Sequence, residues 1–236
     1  MAKLPPGFYW LYGIHPVQMA LANPRRQKGE LLATPAAAAK LPRGSKARQV
    51  APGELNKLLP PGATHQGVAL AVQPLSAPPL GKVLAEGKPL VMLDQVTDPQ
   101  NIGAILRSAA AFGARAVIVQ DKHSPPENAT IAKTAAGALE LVPYLPVTNL
   151  SRTIEEVQQA GYWAIGLDGT TKQTLAECRP GPKTVLVMGA EGAGLRRLVA
   201  EHCDLLAKLP IDSRMESLNV SVAAGIALYE IGRPGA

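Results

Sequence analysis

Only 2 cysteines occur in the chain, Cys178 and Cys203, in no metal-like spacing. That excludes a disulfide-stapled scaffold and suits a reducing compartment. The 4 histidines (His15, His65, His123, His202) are scattered, and neither HExxH nor CxxC is present, so no metal site is expected. Aromatic residues make up only 4%. No apolar run approaches the roughly 20 residues of a membrane span. The N-terminal MAKLPPGFYW has no apolar core of signal-peptide length after its lysine. These absences lead to the expectation of a soluble, cytoplasmic, metal-free protein with no membrane partner.

What is present narrows the class further. With 236 residues, 47% of them hydrophobic, the chain is long enough for one large domain or two modest ones. Its net charge of +6 is unevenly spread: residues 1–50 hold 8 Lys/Arg against 1 Asp/Glu, and the remainder holds 16 against 17. A basic block on a nearly neutral body suggests an anionic polymer as partner, although a solvated basic tail has the same composition.

Around LYGIHPVQMALANPRR the pattern predicts a short strand, a turn and an amphipathic helix that Asn23-Pro24 ends. GELNKLLP and THQGVALAVQPL read as a further short helix and a strand, which makes a small α/β unit over residues 8–74. The stretch at 75–87, rich in Pro, Ser and Gly, fits a linker. From residue 88 to 236 the grammar changes. PLVMLDQV, ARAVIVQ, GYWAIGLDG and KTVLVMGAEG read as strands, and IGAILRSAAAFG as a helix ending at Gly113. Strands alternating with helices mean an α/β fold with a mostly parallel sheet.

Ligands of such sheets gather beyond the carboxyl ends of the strands, and three loops fall there: TDPQNIG, LDGTTKQTL and GAEGAGLRR. In GAEGAG the glycines run G-x-x-G-x-G, which is not the Rossmann order, and no Lys-Ser/Thr of a P-loop follows. The loop offers permissive backbone with Glu191 inside it, open either to a small polar ligand or to a plain strand-to-helix turn. Arg107 lies in an otherwise apolar or small-residue helix, where it either snorkels to solvent or meets an anion. Near the C-terminus, LPIDSRMESLNVSVAAGIALYEIGR ends in a helical pattern whose start suits capping by Ser217 or Asn219.

Together, N-x-G-x-x-x-R-x-A (Asn101, Gly103, Arg107, Ala109), the GAEG loop and the LPI…SLNVSVA…G ending resemble the SpoU/TrmH group of SPOUT methyltransferases over roughly residues 88–233. The N-terminal YGIHPVQMAL is similar to the head of the RNA-binding domain, of ribosomal-protein-L30e type, found in the subgroup that methylates guanosine 2′-O positions of 23S rRNA. The resemblance implies a SPOUT-type sheet closed by a C-terminal trefoil knot, a rare exception to unknotted connectivity. It also implies a homodimer and S-adenosyl-L-methionine as cofactor, held around Gly189, Leu209, Ile211, Leu218, Leu167 and Gly169. Asn101, Arg107, Glu191, Ser217 and Asn219 would form the reaction centre, with RNA, most of all large-subunit rRNA, as partner.

The family proposal casts Arg107 as proton acceptor. A guanidinium stays protonated, so anchoring a phosphate bidentately is the role its chemistry favours. A tRNA 2′-O-methyltransferase and a catalytically silent RNA-binding ribosome-assembly module are the alternatives; a nucleotide-dependent Rossmann enzyme is disfavoured by the glycine order. The cofactor positions all follow the linker, so a chain beginning near Gly81 is expected to fold on its own.

Overall fold

The computed structural model describes residues 4–233. Residues 1–3, part of the N-terminus read above for a leader, and residues 234–236, the end of the expected 88–236 domain, lie outside the described residues. The chain divides into two units by packing. Unit 1 runs through Ser76 and takes in Glu127–Leu141; unit 2 comprises Ala77–Pro126 and Val142 onward.

Unit 1 opens with β1 (Tyr9–Tyr12), α1 (Ile14–Ala22), β2 (Lys28–Ala33), α2 (Pro35–Ala38), β3 (Arg48–Gln49), α3 (Pro52–Leu58) and β4 (Val68–Val72). Its sheet has the order β1-β4-β2-β3, with β4 antiparallel to both neighbours and β2 parallel to β3. The VALAV of β4 is buried at every position, as an apolar run in a central strand should be. Asn23 closes α1, where Pro24 stops the helix.

Unit 2 begins with α4 (Leu80–Leu84), whose Val83 sits fully buried in the unit's core, so the Pro/Ser/Gly-rich stretch is ordered at its far end. Then come β5 (Leu90–Leu93), α5 (Pro99–Ala111) and β6 (Ala116–Gln120). The chain next contributes α6 (Ala129–Ala135) to unit 1 and returns for β7 (Tyr144–Val147), α7 (Leu150–Gln159), β8 (Trp163–Leu167), β9 (Thr184–Met188), α8 (Arg197–His202), β10 (Leu205–Ala207) and α9 (Val220–Gly232). The six strands take the order β10-β8-β9-β5-β6-β7, and every pairing is parallel. β5 is buried on both faces, and each of its side chains contributes roughly 1.5–3 kcal/mol of burial. The strand order reverses between β5 and β9, which is where an open parallel sheet leaves a crevice. No described helix is long and apolar enough to cross a membrane, and no group of three or more His, Cys, Asp or Glu is poised to hold a metal among the described residues.

The excursion through Glu127–Leu141 has a physical reason in Arg26, which is only 2% exposed. Its Nε and Nη2 donate to Glu140 at 3.0 and 2.6 Å, and its Nη1 donates to Glu127 and to the Gln73 carbonyl. Asn23 Nδ2 donates to Glu140 at 2.7 Å, and Tyr9 Oη donates to Glu127 at 2.6 Å. Burial and the neighbouring Glu127 charge push the Tyr9 phenol far above its ordinary range, so it stays a donor. Residues 127–141 thus fold with unit 1, so the amino-terminal unit is built from two separate segments of the chain.

One guanidinium here balances two buried carboxylates, and removing one partner of such a group costs about 3–5 kcal/mol. We therefore expect Arg26→Met to lower the urea midpoint of unit 1, read from the buried Trp10 indole. Adding Glu127→Gln and Glu140→Gln should restore much of the loss. An unchanged midpoint in Arg26→Met would show that the cluster contributes nothing to stability.

Candidate functional site

The residues singled out by sequence fall at the carboxyl edge of the unit 2 sheet, on the loops and helices that follow β5, β8, β9 and β10. Helix α5 starts where Asp98 caps it, its carboxylate accepting from the Gln100 amide at 3.0 Å with Pro99 in the first turn. Helix α9 starts at Asn219, whose Oδ1 accepts from the Ser221 amide at 2.9 Å. Of the two candidate caps, Asn219 is therefore the one that serves.

The two helices lie side by side and run in the same direction. At their starts, Asn219 Nδ2 donates to Asn101 Oδ1 at 3.1 Å. Midway, a Cβ on Gly225 would stand 3.3 Å from Ser108 Oγ. At their ends, the rings of Phe112 and Tyr229 meet edge to face with centroids 6.0 Å apart. Small residues at the crossing allow this approach. Both amino-terminal ends, with their positive dipole ends, thus face one place.

Arg107 lies on α5 and is exposed, so its guanidinium is accessible from solvent. Glu191 and Ser217 are exposed too, and none of the three has a hydrogen-bond or ion-pair partner among the described residues. The structure brings Asn101 and Asn219 into contact and leaves Arg107, Glu191 and Ser217 free toward solvent.

The glycine loop after β9 is built by close backbone approach. Ala190 and Gly194 exchange N–H···O bonds of 3.1 and 2.8 Å. A Cβ on Gly189 would stand 2.1 Å from the Gly194 carbonyl carbon, so only glycine fits there. Gly192 and Gly194 hold φ of +79° and +67° at the turn. Nearby, Leu167 ends β8, the Asp168 amide donates to the Ala207 carbonyl at 2.9 Å, and a Cβ on Gly169 would meet nothing within 4 Å. The peptide N–H groups of Leu209, Ile211 and Leu218 have no acceptor among the described residues, and the Ile211 side chain is 40% exposed. Free peptide groups beside uncovered apolar side chains form a surface able to hold a ligand that is part polar and part apolar.

Sequence reasoning overlooked the group that fixes this loop. Asp94, at the end of β5, is fully buried. Its Oδ2 accepts from the Arg196 amide at 2.8 Å and its Oδ1 from Arg196 Nε at 2.7 Å, while Arg196 Nη2 also donates to Gln120 Oε1 at 2.8 Å. The only sequence signal was an aspartate closing an otherwise apolar strand.

Comparison with known proteins was made on this footing. The family model of the SpoU rRNA methylases matches residues 88–229, and that of the RNA 2′-O ribose methyltransferase substrate-binding domain matches residues 10–78. The chain is 43% identical over 242 residues to the 23S rRNA (guanosine-2′-O-)-methyltransferase RlmB of Pseudomonas aeruginosa, covering 94% of this chain and 95% of that one. It is 50% identical over 173 residues to the protein of that description in Ralstonia nicotianae, covering 72% and 70%. Among solved structures, the SpoU methyltransferase AviRb of Streptomyces viridochromogenes in complex with AdoMet superposes with a TM-score of 0.81 at 26% identity, over 96% of this chain and 90% of that one.

The loop geometry makes its own prediction. Gly189→Ala forces Gly194 away and breaks the paired Ala190–Gly194 bonds. Amide exchange at both positions should then rise to the rate of open loop, while the β5 amides stay protected. Wild-type protection at Ala190 and Gly194 in the variant would show that the close approach is not required.

Proposed function

The chain belongs to the SpoU rRNA methylase family, and on that footing we propose that it methylates a ribose 2′-hydroxyl of RNA, a guanosine of 23S rRNA, from S-adenosyl-L-methionine in the cytoplasm. The observation that carries this reading is the α5–α9 pairing. It sets Asn101 against Asn219 on helices whose amino-terminal ends meet, with the unpartnered Arg107 guanidinium on one of them.

The residues present fit the cofactor: the free peptide groups of Leu209, Ile211 and Leu218, the glycine-lined turn at Gly189 and the open edge at Leu167 and Gly169 would hold it. When bound, S-adenosylmethionine supplies an electrophilic methyl group and departs as a neutral thioether, so the leaving group needs no metal. The protein's task is placement of a weak nucleophile, and in-line positioning is the larger part of such a barrier. Arg107 binds the phosphate beside the target ribose as a planar fork. Asn219, oriented by its contact with Asn101, and Ser217 position the ribose, and the hydroxyl proton released on attack would pass to water or to the exposed, unpartnered Glu191 carboxylate.

Residues 8–74 would form the RNA substrate-binding domain, of L30e-like type, with 75–87 as linker and 88–236 as the methyltransferase, its C-terminal stretch forming a trefoil knot. Charge supports the division. Residues 8–74 hold 8 Lys/Arg against 2 Asp/Glu and residues 88–236 hold 14 against 15, so the net positive charge belongs to the amino-terminal part. A homodimer is supported by the outer face of α9. Val222, Ile226 and Tyr229 recur there at helical spacing with 51%, 45% and 55% exposure, beside Phe112 at 40%. A two-fold contact is the commonest way to cover such a stripe.

The reading is tested by methyl transfer to 23S rRNA with mapping of the modified ribose. Arg107→Ala should lower turnover by at least about 100-fold, the scale of one lost catalytic group, with cofactor affinity little changed. Arg107→Lys should recover little, because an ammonium cannot copy the fork. Near-wild-type turnover in Arg107→Ala would remove this residue from the chemistry. For assembly, Ile226→Glu should convert a dimeric solution mass to a monomeric one at micromolar concentration; a wild-type chain that is fully active as a monomer would dispose of the dimer.

A further inference from the structure

The opposite, amino-terminal edge of the unit 2 sheet carries a feature that the methyl-transfer site does not use. A cavity of about 490 Å³ opens there, within the roughly 300–1,000 Å³ range of small-ligand sites, lined by Trp163, Arg179, Pro180, Pro182 and Lys183 among others. Trp163 is 59% exposed although it begins a strand whose next three residues are buried. It is held rigidly at its backbone, its amide donating to the Lys183 carbonyl at 2.9 Å.

The cations at this edge form a row. β8, β9, β5 and β6 are consecutive neighbours, and at or just before their first residues stand Trp163, Lys183, Lys88 and Arg115. Lys183 and Lys88 each precede by two residues the paired Val185 and Leu90. The acids nearby are already engaged, and Glu86 takes up two of the row's own cations. Glu86 pairs with Arg115 and Lys88, Glu177 accepts from the Thr174 amide and hydroxyl, and Asp204 accepts from the Ala164 amide. Arg179 and Lys183 make no ion pair with any described residue.

We propose that this edge is a second RNA-binding subsite, in which one unpaired base stacks on the Trp163 indole while its flanking phosphates lie against Lys183 and Arg179. An aromatic face beside unpaired cations is the combination that single-stranded nucleic acid selects: every base has a face to stack, and the phosphates follow the charge. Unit 2 is neutral overall, and at this edge two unpaired cations, Arg179 and Lys183, line the same cavity as the exposed Trp163 indole. The subsite rests on the reading of the protein as an RNA methyltransferase. It adds a contact in the catalytic unit remote from the reacting ribose.

The two tryptophans make it testable in the full chain, because Trp10 is buried in unit 1 and Trp163 is exposed. An eight-nucleotide oligouridylate should quench the Trp163 emission saturably. The quench should vanish in Trp163→Leu, and Arg179→Glu with Lys183→Glu should weaken the binding at least about tenfold, within the range of losing one stacked base and its phosphate contacts. With a 23S rRNA fragment as substrate, Trp163→Leu should raise KM about tenfold and leave kcat unchanged. No quench, or the same quench in the charge-reversed variant, overturns the subsite. Equal quenching by adenosine monophosphate also overturns it, in favour of a mononucleotide site. A wild-type chain that methylates rRNA without any quench refutes the subsite alone; a specific quench without methylation upholds the subsite and refutes the proposed function instead.

Discussion

A single carboxylate with no access to water, Asp94, is the constraint on which the geometry of the site depends. It closes the central strand of the unit 2 sheet and binds the backbone and guanidinium of Arg196 at once, so the glycine loop between β9 and α8 is tied at its far end to the middle of the sheet. The near end is fixed by the close passage of Gly189 and Gly194. A loop that is rich in glycine is flexible by default; here it is pinned at both ends by contacts that require those residues. The low dielectric around a buried carboxylate makes each of its hydrogen bonds count for more, and would make a lost one expensive.

A second principle, the division of labour by charge, follows from the folding of unit 1. Within residues 1–50, Arg26 counts toward the basic block, yet it is buried against Glu127 and Glu140 and offers nothing to a polyanion. Arg48 is engaged with Glu30 and Glu54 at the surface. The cations left free, such as Lys40, Arg43 and Lys46, carry the electrostatic attraction of unit 1. Its net positive charge survives because the chain's acids collect in unit 2, where they balance that unit's own cations.

Much of this was legible beforehand, for reasons that are local. Apolar runs bounded by Gly and Pro marked β5, β6, β8 and β9, and the order of glycines in GAEGAG correctly separated this loop from a Rossmann turn. The family signature tied Asn101 to Asn219, 118 positions apart, which no periodicity could have done. The misses are all long-range. Nothing in LDQV names Arg196 as the partner of its aspartate, and nothing in NPRRQK distinguishes the buried Arg26 from its exposed neighbour Arg25. The excursion was hidden for the same reason: the sequence around NATIAKTAAGALEL reads as part of the later domain but folds with the earlier one.

That excursion bears on the order in which the protein can form as it is made. Unit 1 is the first to be synthesised, yet it cannot finish until residue 141 is made, because Arg26 waits for two glutamates more than a hundred residues downstream. Between Ser76 and Leu141 lie about 65 residues, and at a translation rate of roughly 5–20 residues per second the gap lasts about 3–13 s. Until those residues are made, Arg26 has no carboxylate to be buried against, and the cost of burying it alone favours keeping it in water. The packing of unit 1 around Arg26 is thereby tied to the synthesis of Glu127 and Glu140, carried in the middle of the later unit's own sequence.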